Sequence, residues 1–169
     1  MTDPPFRLAP LGAEHDRDSF DCGEEALDRY FKTQATQDIR RRVANCFVAT
    51  ESTSSVVAGY YTIASAGIPF VDLPPEESRR LPRYPSLPAV RIGRLAVDRR
   101  FQGRGLGEML LLDVMRRSMN LPPAIYALLV DAKNDRAVAF YQPYGFRVFA
   151  SQPRTLFLPM ATLAKALLA

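Results

Sequence analysis

Gln102-Gly103-Arg104-Gly105-Leu106-Gly107 follows the apolar run at 92–97 and precedes the periodic stretch at 106–115, which predicts strand, glycine loop and helix in that order. A helix start leaves its first backbone N–H groups unpaired and carries a partial positive charge, so it attracts phosphate, and glycine lets the chain approach an anion closely. Two common phosphate loops fail on spacing. A dinucleotide fingerprint counted from Gly103 needs a third glycine where Glu108 stands, and a nucleotide-triphosphate loop needs Gly-Lys-Ser/Thr, which is absent. What remains is Gln-x-x-Gly-x-Gly.

Downstream, Asn134, Ala137, Phe140, Tyr141, Gly145 and Phe146 form the pattern Asn-x-x-Ala-x-x-Phe-Tyr-x-x-x-Gly-Phe. Together the two motifs resemble the GCN5-related N-acetyltransferase (GNAT) superfamily. That resemblance implies a mixed α/β fold with a mostly antiparallel sheet, splayed at an acetyl-CoA cleft and flanked by helices. It also implies that Gln102, Gly103, Arg104, Gly105, Leu106 and Gly107 hold the pyrophosphate, with Arg104 adding a charge-assisted bond. The backbone of Leu95, Ala96 and Val97 would pair with the pantetheine amides as an added strand would, and the N–H of Val97 or Leu95 would stabilise an oxyanion. Acetyl transfer needs an amine to attack a thioester and a thiolate to leave, and a phenol near the sulfur can supply a proton. Tyr141 takes that general-acid role by resemblance; its alternative is a core aromatic beside Phe140. Asn134 would hold the pantetheine or adenylate side, or cap the following helix, or both. No general base stands out, and His15 lies far from both motifs.

The rest of the chain fits this order. A weak strand at 6–11 is followed by Asp21 as a cap and an amphipathic helix at 24–40. Residues 45–50 and 56–66 read as an antiparallel hairpin, on which Tyr60 and Tyr61 face opposite sides; core packing is the simpler reading of both, lining of an acceptor pocket by one the alternative. The stretch at 69–88 holds six prolines and cannot be regular sheet, though 76–81 suits one helical turn. A strand at 89–97, a helix at 105–119, a strand at 124–130, a helix at 134–142 ended by Pro143, and closing strands at 146–150 and 154–159 complete the chain before a small apolar tail.

The 169 residues, 47% of them apolar, predict one domain over 1–169. No run approaches the roughly 20 residues of a membrane span and no leader pattern opens the chain, so a soluble cytoplasmic protein is expected. Cys22 and Cys46 stand apart from any metal-ligand cluster, and His15 alone cannot complete a histidine-based zinc site, so no metal is expected. The net charge is +4, carried mostly by arginine, which suits a phosphate-bearing partner as well as an arginine-rich genome.

A second likeness covers most of the chain. Phe20, Cys22, Gly23, Leu27, Asp28, Tyr30, Phe31, Ala35, Gln37 and Asp38, then Gly59-Tyr60-Tyr61 and Gly93-Arg94-Leu95-Ala96-Val97-Asp98, resemble the acetyltransferase toxins of bacterial type II toxin–antitoxin pairs. Those toxins acetylate the amino group of aminoacyl-tRNA. The resemblance implies a ribbon-helix-helix antitoxin, a homodimer and an RNA surface. Candidate phosphate contacts are Arg40, Arg41 and Arg42, then Arg79, Arg80 and Arg83 on a mobile arm in the proline-rich loop, then Arg91 and Arg94. The competing functions are acetylation of a small amine or a protein amino terminus, and a CoA-sensing or antitoxin-binding module without turnover.

Overall fold

The computed structural model describes residues 5–168; residues 1–4, the start of the stretch read above for a leader, and residue 169 lie outside the described residues. The elements run β1 (Phe6–Pro10), α1 (Glu25–Thr33), α2 (Ala35–Arg40), β2 (Asn45–Glu51), β3 (Val57–Pro69), α3 (Pro75–Ser78), β4 (Ser86–Val97), α4 (Leu106–Met119), β5 (Ala127–Asp131), α5 (Asp135–Tyr141), β6 (Arg147–Phe149), β7 (Gln152–Pro159) and α6 (Met160–Leu168). The strand order is β1-β2-β3-β4-β5-β7-β6. Contacts divide the chain into two compact units, Met1–Ala64 with Gly93–Val114 and Ser65–Ile92 with Met115–Ala169, so β3, β4 and α4 each contribute to both. No helix among the described residues is long and apolar enough to cross a membrane.

In the first unit β1 pairs antiparallel with β2 from Phe6↔Glu51 to Pro10↔Phe47, and β2 pairs antiparallel with β3. β3 is buried continuously from Val57 to Thr62, so both faces of the hairpin are covered there. Tyr30 and Phe31 of α1 pack with Phe20, Val48 and Tyr60 in one apolar cluster. Phe31 stacks on Tyr60 at 4.2 Å between ring centroids, and the Tyr60 hydroxyl donates to the Leu27 carbonyl at 2.7 Å. Tyr61 points the other way and donates to Asp113 Oδ2 at 2.7 Å. Both rings are fully buried, so core packing accounts for the pair. A buried phenol keeps its place only when its hydroxyl is satisfied, which is why each has an oxygen partner.

The single helix expected at 24–40 is two, broken at Gln34, whose φ of -121 lies outside the helical region. Neither proline nor glycine marks that break in the sequence. Asp21 does not cap α1: its Oδ1 accepts from the Gly23 amide, and Asp28 reaches back to accept from the Cys22 amide.

In the second unit β4 runs parallel to β5 from Ala89↔Ala127 to Ile92↔Val130, while β7 pairs antiparallel with both β5 and β6. Ile68, Leu87, Leu129, Phe149 and Phe157 are among the residues that form its apolar cluster. Sheet begins earlier than the prolines suggest. Pro88 lies inside β4, and its carbonyl accepts from the Tyr126 amide, so only its missing N–H goes unused. The strand expected at 124–130 starts only at Ala127, after Pro122 and Pro123.

The proline-rich connection is fastened where a mobile arm was expected. The Tyr126 hydroxyl donates to Glu77 Oε2 at 2.8 Å, Arg147 ion-pairs with Glu77, and the Phe70 amide donates to the Pro85 carbonyl. Burial alone would raise the Glu77 pKa, but the bonds from Tyr126 and Arg147 outweigh it and hold the carboxyl below its ordinary range. The apolar tail is a helix, α6.

Candidate active site

The glycine loop of the first unit is held from behind. Asp98, at the end of β4, is buried and accepts from the Asp21 amide at 3.0 Å, the Arg100 amide at 2.9 Å and the Arg100 guanidinium at 2.9 and 3.1 Å. Burial pushes its pKa up; the Arg100 side-chain bonds, the two amides and the guanidinium charge prevail and keep it ionised. That carboxylate caps the single 3₁₀ turn Arg99–Phe101, which leads into the loop. The Gln102 side chain donates to the Val97 carbonyl at 3.0 Å and the Cys22 carbonyl at 3.3 Å. In this structure Gln102 is an anchor that ties the loop to the end of β4. Arg104 lies with its guanidinium 5.1 Å from the Phe6 ring centroid and 5.5 Å from that of Phe101.

Gly103 and Gly105 have φ of 81 and 77, a region that costs an L-side chain energy. A Cβ built on either meets no atom within 4 Å, so both face open space. The Gly105 carbonyl accepts the first helical bond, from the Met109 amide, which makes Gly105 the entry to α4. Two left-handed glycines before a 14-residue helix leave open space beside the positive end of its dipole. The loop therefore has the room and the donors for a pyrophosphate. Leu95 and Val97 are half-buried and Ala96 is buried.

The second unit carries the other motif on α5. Asn134 accepts from the Ala137 amide at 2.9 Å and caps that helix. Tyr141, in its last turn, is buried against Phe140 and Phe146, with ring centroids 5.0 and 5.4 Å away. Burial pushes the phenol up to about 12. At neutral pH such a group holds its proton, which suits an acid and excludes a base.

The arginines divide into two kinds. Arg40, Arg41, Arg42, Arg79, Arg80 and Arg83 are exposed. Arg91 ion-pairs with Asp131, and Arg94 lies 3.4 Å from the centroid of the Tyr30 ring. His15 accepts from the Gly12 amide through Nδ1 at 2.9 Å and closes a local turn. Sequence reasoning missed the Asp98 network, although an acidic residue directly after an apolar strand and two residues before an arginine was its visible sign.

A family model described as an acetyltransferase (GNAT) domain matches residues 19–162. A tRNA-acetylating toxin of Mycobacterium tuberculosis is 36% identical over 144 residues, 84% of each chain. The structure of AtaT complexed with acetyl-methionyl-tRNAfMet superposes with a TM-score of 0.88 at 30% identity, covering 96% of this chain and 99% of AtaT. A mutant AtaT toxin bound to the C-terminus of the antitoxin AtaR and acetyl-CoA gives 0.82 at 27% identity, covering 98% of this chain and all, 100%, of the other.

Proposed function

The chain belongs to the GNAT acetyltransferase family, and from that premise we propose that it is a toxin that moves acetyl from acetyl-CoA to the α-amino group of aminoacyl-tRNA and so blocks translation. The observation that carries the reading is the open pair of left-handed glycines at the entry to α4, in a chain that matches tRNA-acetylating relatives along most of its length. When bound, acetyl-CoA supplies an activated acetyl thioester. The loop amides of Gly103, Arg104, Gly105, Leu106 and Gly107 bind its phosphates, with Gln102 holding the loop in place, and the backbone of Leu95, Ala96 and Val97 orients its amide-bearing arm. Asn134 steadies the start of α5 and assists on the same arm.

Tyr141 keeps its proton until the C–N bond forms and the C–S bond breaks, then passes it to the departing sulfur; the amine loses its own proton to solvent. An α-amino group next to an ester is less basic than an ordinary amine, so the reaction proceeds without a strong protein base. Exposed Arg40, Arg41, Arg42, Arg79, Arg80 and Arg83 contact RNA phosphates, with Arg91 and Arg94 on the substrate side.

The match from 19 to 162 runs through both compact units and supports a single domain over 1–169. The enzyme works in the cytoplasm as a homodimer and is neutralised by a ribbon-helix-helix antitoxin; the AtaT likeness, with AtaR bound, supports the antitoxin. In a translation extract the chain should stop synthesis only when acetyl-CoA is present, and freshly charged tRNA added after its removal should restore it. Arrest without acetyl-CoA, or arrest that fresh charged tRNA leaves in place, would contradict the reading.

A further inference from the structure

Of the aromatic side chains among the described residues, Tyr84 alone is exposed, at 58%, and Val71, at 88%, is the most exposed large apolar residue. Both lie in the proline-rich connection, and its backbone holds them there. Prolines at 82 and 85 fix their own φ, and a residue that precedes proline is kept extended, so Tyr84 stands on a stiff support in Pro82-Arg83-Tyr84-Pro85. The Tyr84 amide donates to the Pro82 carbonyl at 2.9 Å, and the Phe70 amide to the Pro85 carbonyl at 3.1 Å, which places Val71 and Tyr84 one residue inside the tie between the two ends. Tyr30, Tyr60, Tyr61 and Tyr126 each donate their hydroxyl to a partner inside the protein; among the described residues the Tyr84 side chain has none. The connection that carries this ring is positively charged. Arg79, Arg80 and Arg83 are exposed, whereas Glu76 and Glu77 both face Arg147, leaving Asp72 as the remaining carboxylate.

A flat ring held in water beside guanidinium groups suits a nucleic acid: the ring stacks on a nucleobase while the arginines meet phosphates. We infer that Tyr84 is a stacking platform for an unpaired nucleobase of the tRNA substrate, with Val71 extending its apolar face and Arg79, Arg80 and Arg83 on the adjoining phosphates. The inference rests on aminoacyl-tRNA being the substrate. Because Glu77, Tyr126 and Arg147 already fasten the connection, binding orders little of it, and tyrosine itself has few side-chain torsions to fix.

The test uses the full chain with labelled acetyl-CoA and charged tRNA. Tyr84→Ala should raise KM for charged tRNA by about fivefold or more, with kcat and acetyl-CoA affinity unchanged, and Tyr84→Phe should restore most of that loss because the ring alone stacks. Salt separates the ring from its neighbours. Arg83→Ala should flatten the dependence of log KM on log salt by roughly 0.7–0.9, and Tyr84→Ala should leave that slope as in wild type, since the ring carries no charge. A Tyr84→Ala enzyme within about twofold of wild type in KM, or a Tyr84→Phe enzyme as impaired as Tyr84→Ala, overturns the platform and leaves the tRNA reading standing. So does a Tyr84→Ala enzyme that loses only antitoxin binding, which makes the face a protein dock. A wild type that labels no charged tRNA overturns both.

Discussion

Replacing Tyr141 with phenylalanine should lower kcat for acetyl transfer by about two to four orders of magnitude, equivalent to about 3–5 kcal/mol in the barrier. The variant removes one hydroxyl and keeps the ring, which remains wedged between Phe140 and Phe146. Acetyl-CoA affinity should therefore hardly change, and a loss confined to kcat is the signature of an interaction made while the bond breaks. The pH profile gives an independent check. With the phenol pushed up to about 12, the acid remains protonated across the usable range, so the wild-type rate should rise as the amine deprotonates and stay level to about pH 10. A falling alkaline limb near pH 8, or a Tyr141→Phe enzyme within a factor of about three of wild type, would remove Tyr141 from the chemistry.

The second large effect is expected from the double substitution Gly103→Ala, Gly105→Ala. Each alanine is forced into the left-handed region, at φ 81 and 77, at a cost of roughly 1–2 kcal/mol per residue. Relief by moving the loop shifts its amides, and no relief leaves each Cβ in the open space beside the loop that the proposed phosphate site needs. Acetyl-CoA affinity should fall at least about tenfold, since 1.4 kcal/mol already gives that factor. The melting midpoint should drop by roughly 4–16 °C, at about 2–4 °C per kcal/mol for a chain of this size. Calorimetric titration with acetyl-CoA decides it. Unchanged affinity would mean that the loop caps α4 and does nothing more.

Local signals and tertiary ones were unequally legible in the sequence. Gln102 to Gly107 announced the strand, loop and helix because glycine spacing and apolar periodicity are written in adjacent residues, and α4 begins at Leu106, one residue after the expected start. Asn134 was readable as a cap for the same reason. The break at Gln34 was not, because neither proline nor glycine stands there and the residues on either side continue a helical pattern. The fastening of the proline-rich connection was hidden too: Glu77, Tyr126 and Arg147 are far apart in the chain and meet only in the fold. The pairing of Arg91 with Asp131 is of that kind. Gln102 was assigned to the right loop, while its anchoring of Val97 and Cys22 required the folded backbone.

The most direct measurement is transfer of labelled acetyl from acetyl-CoA to a pool of charged tRNAs, with uncharged tRNA, free amino acids and small polyamines as parallel acceptors. The account predicts label on charged tRNA alone, released by mild base as N-acetyl amino acid. Label on free amino acids or polyamines with none on charged tRNA would contradict it and make the chain a GNAT enzyme of another substrate class.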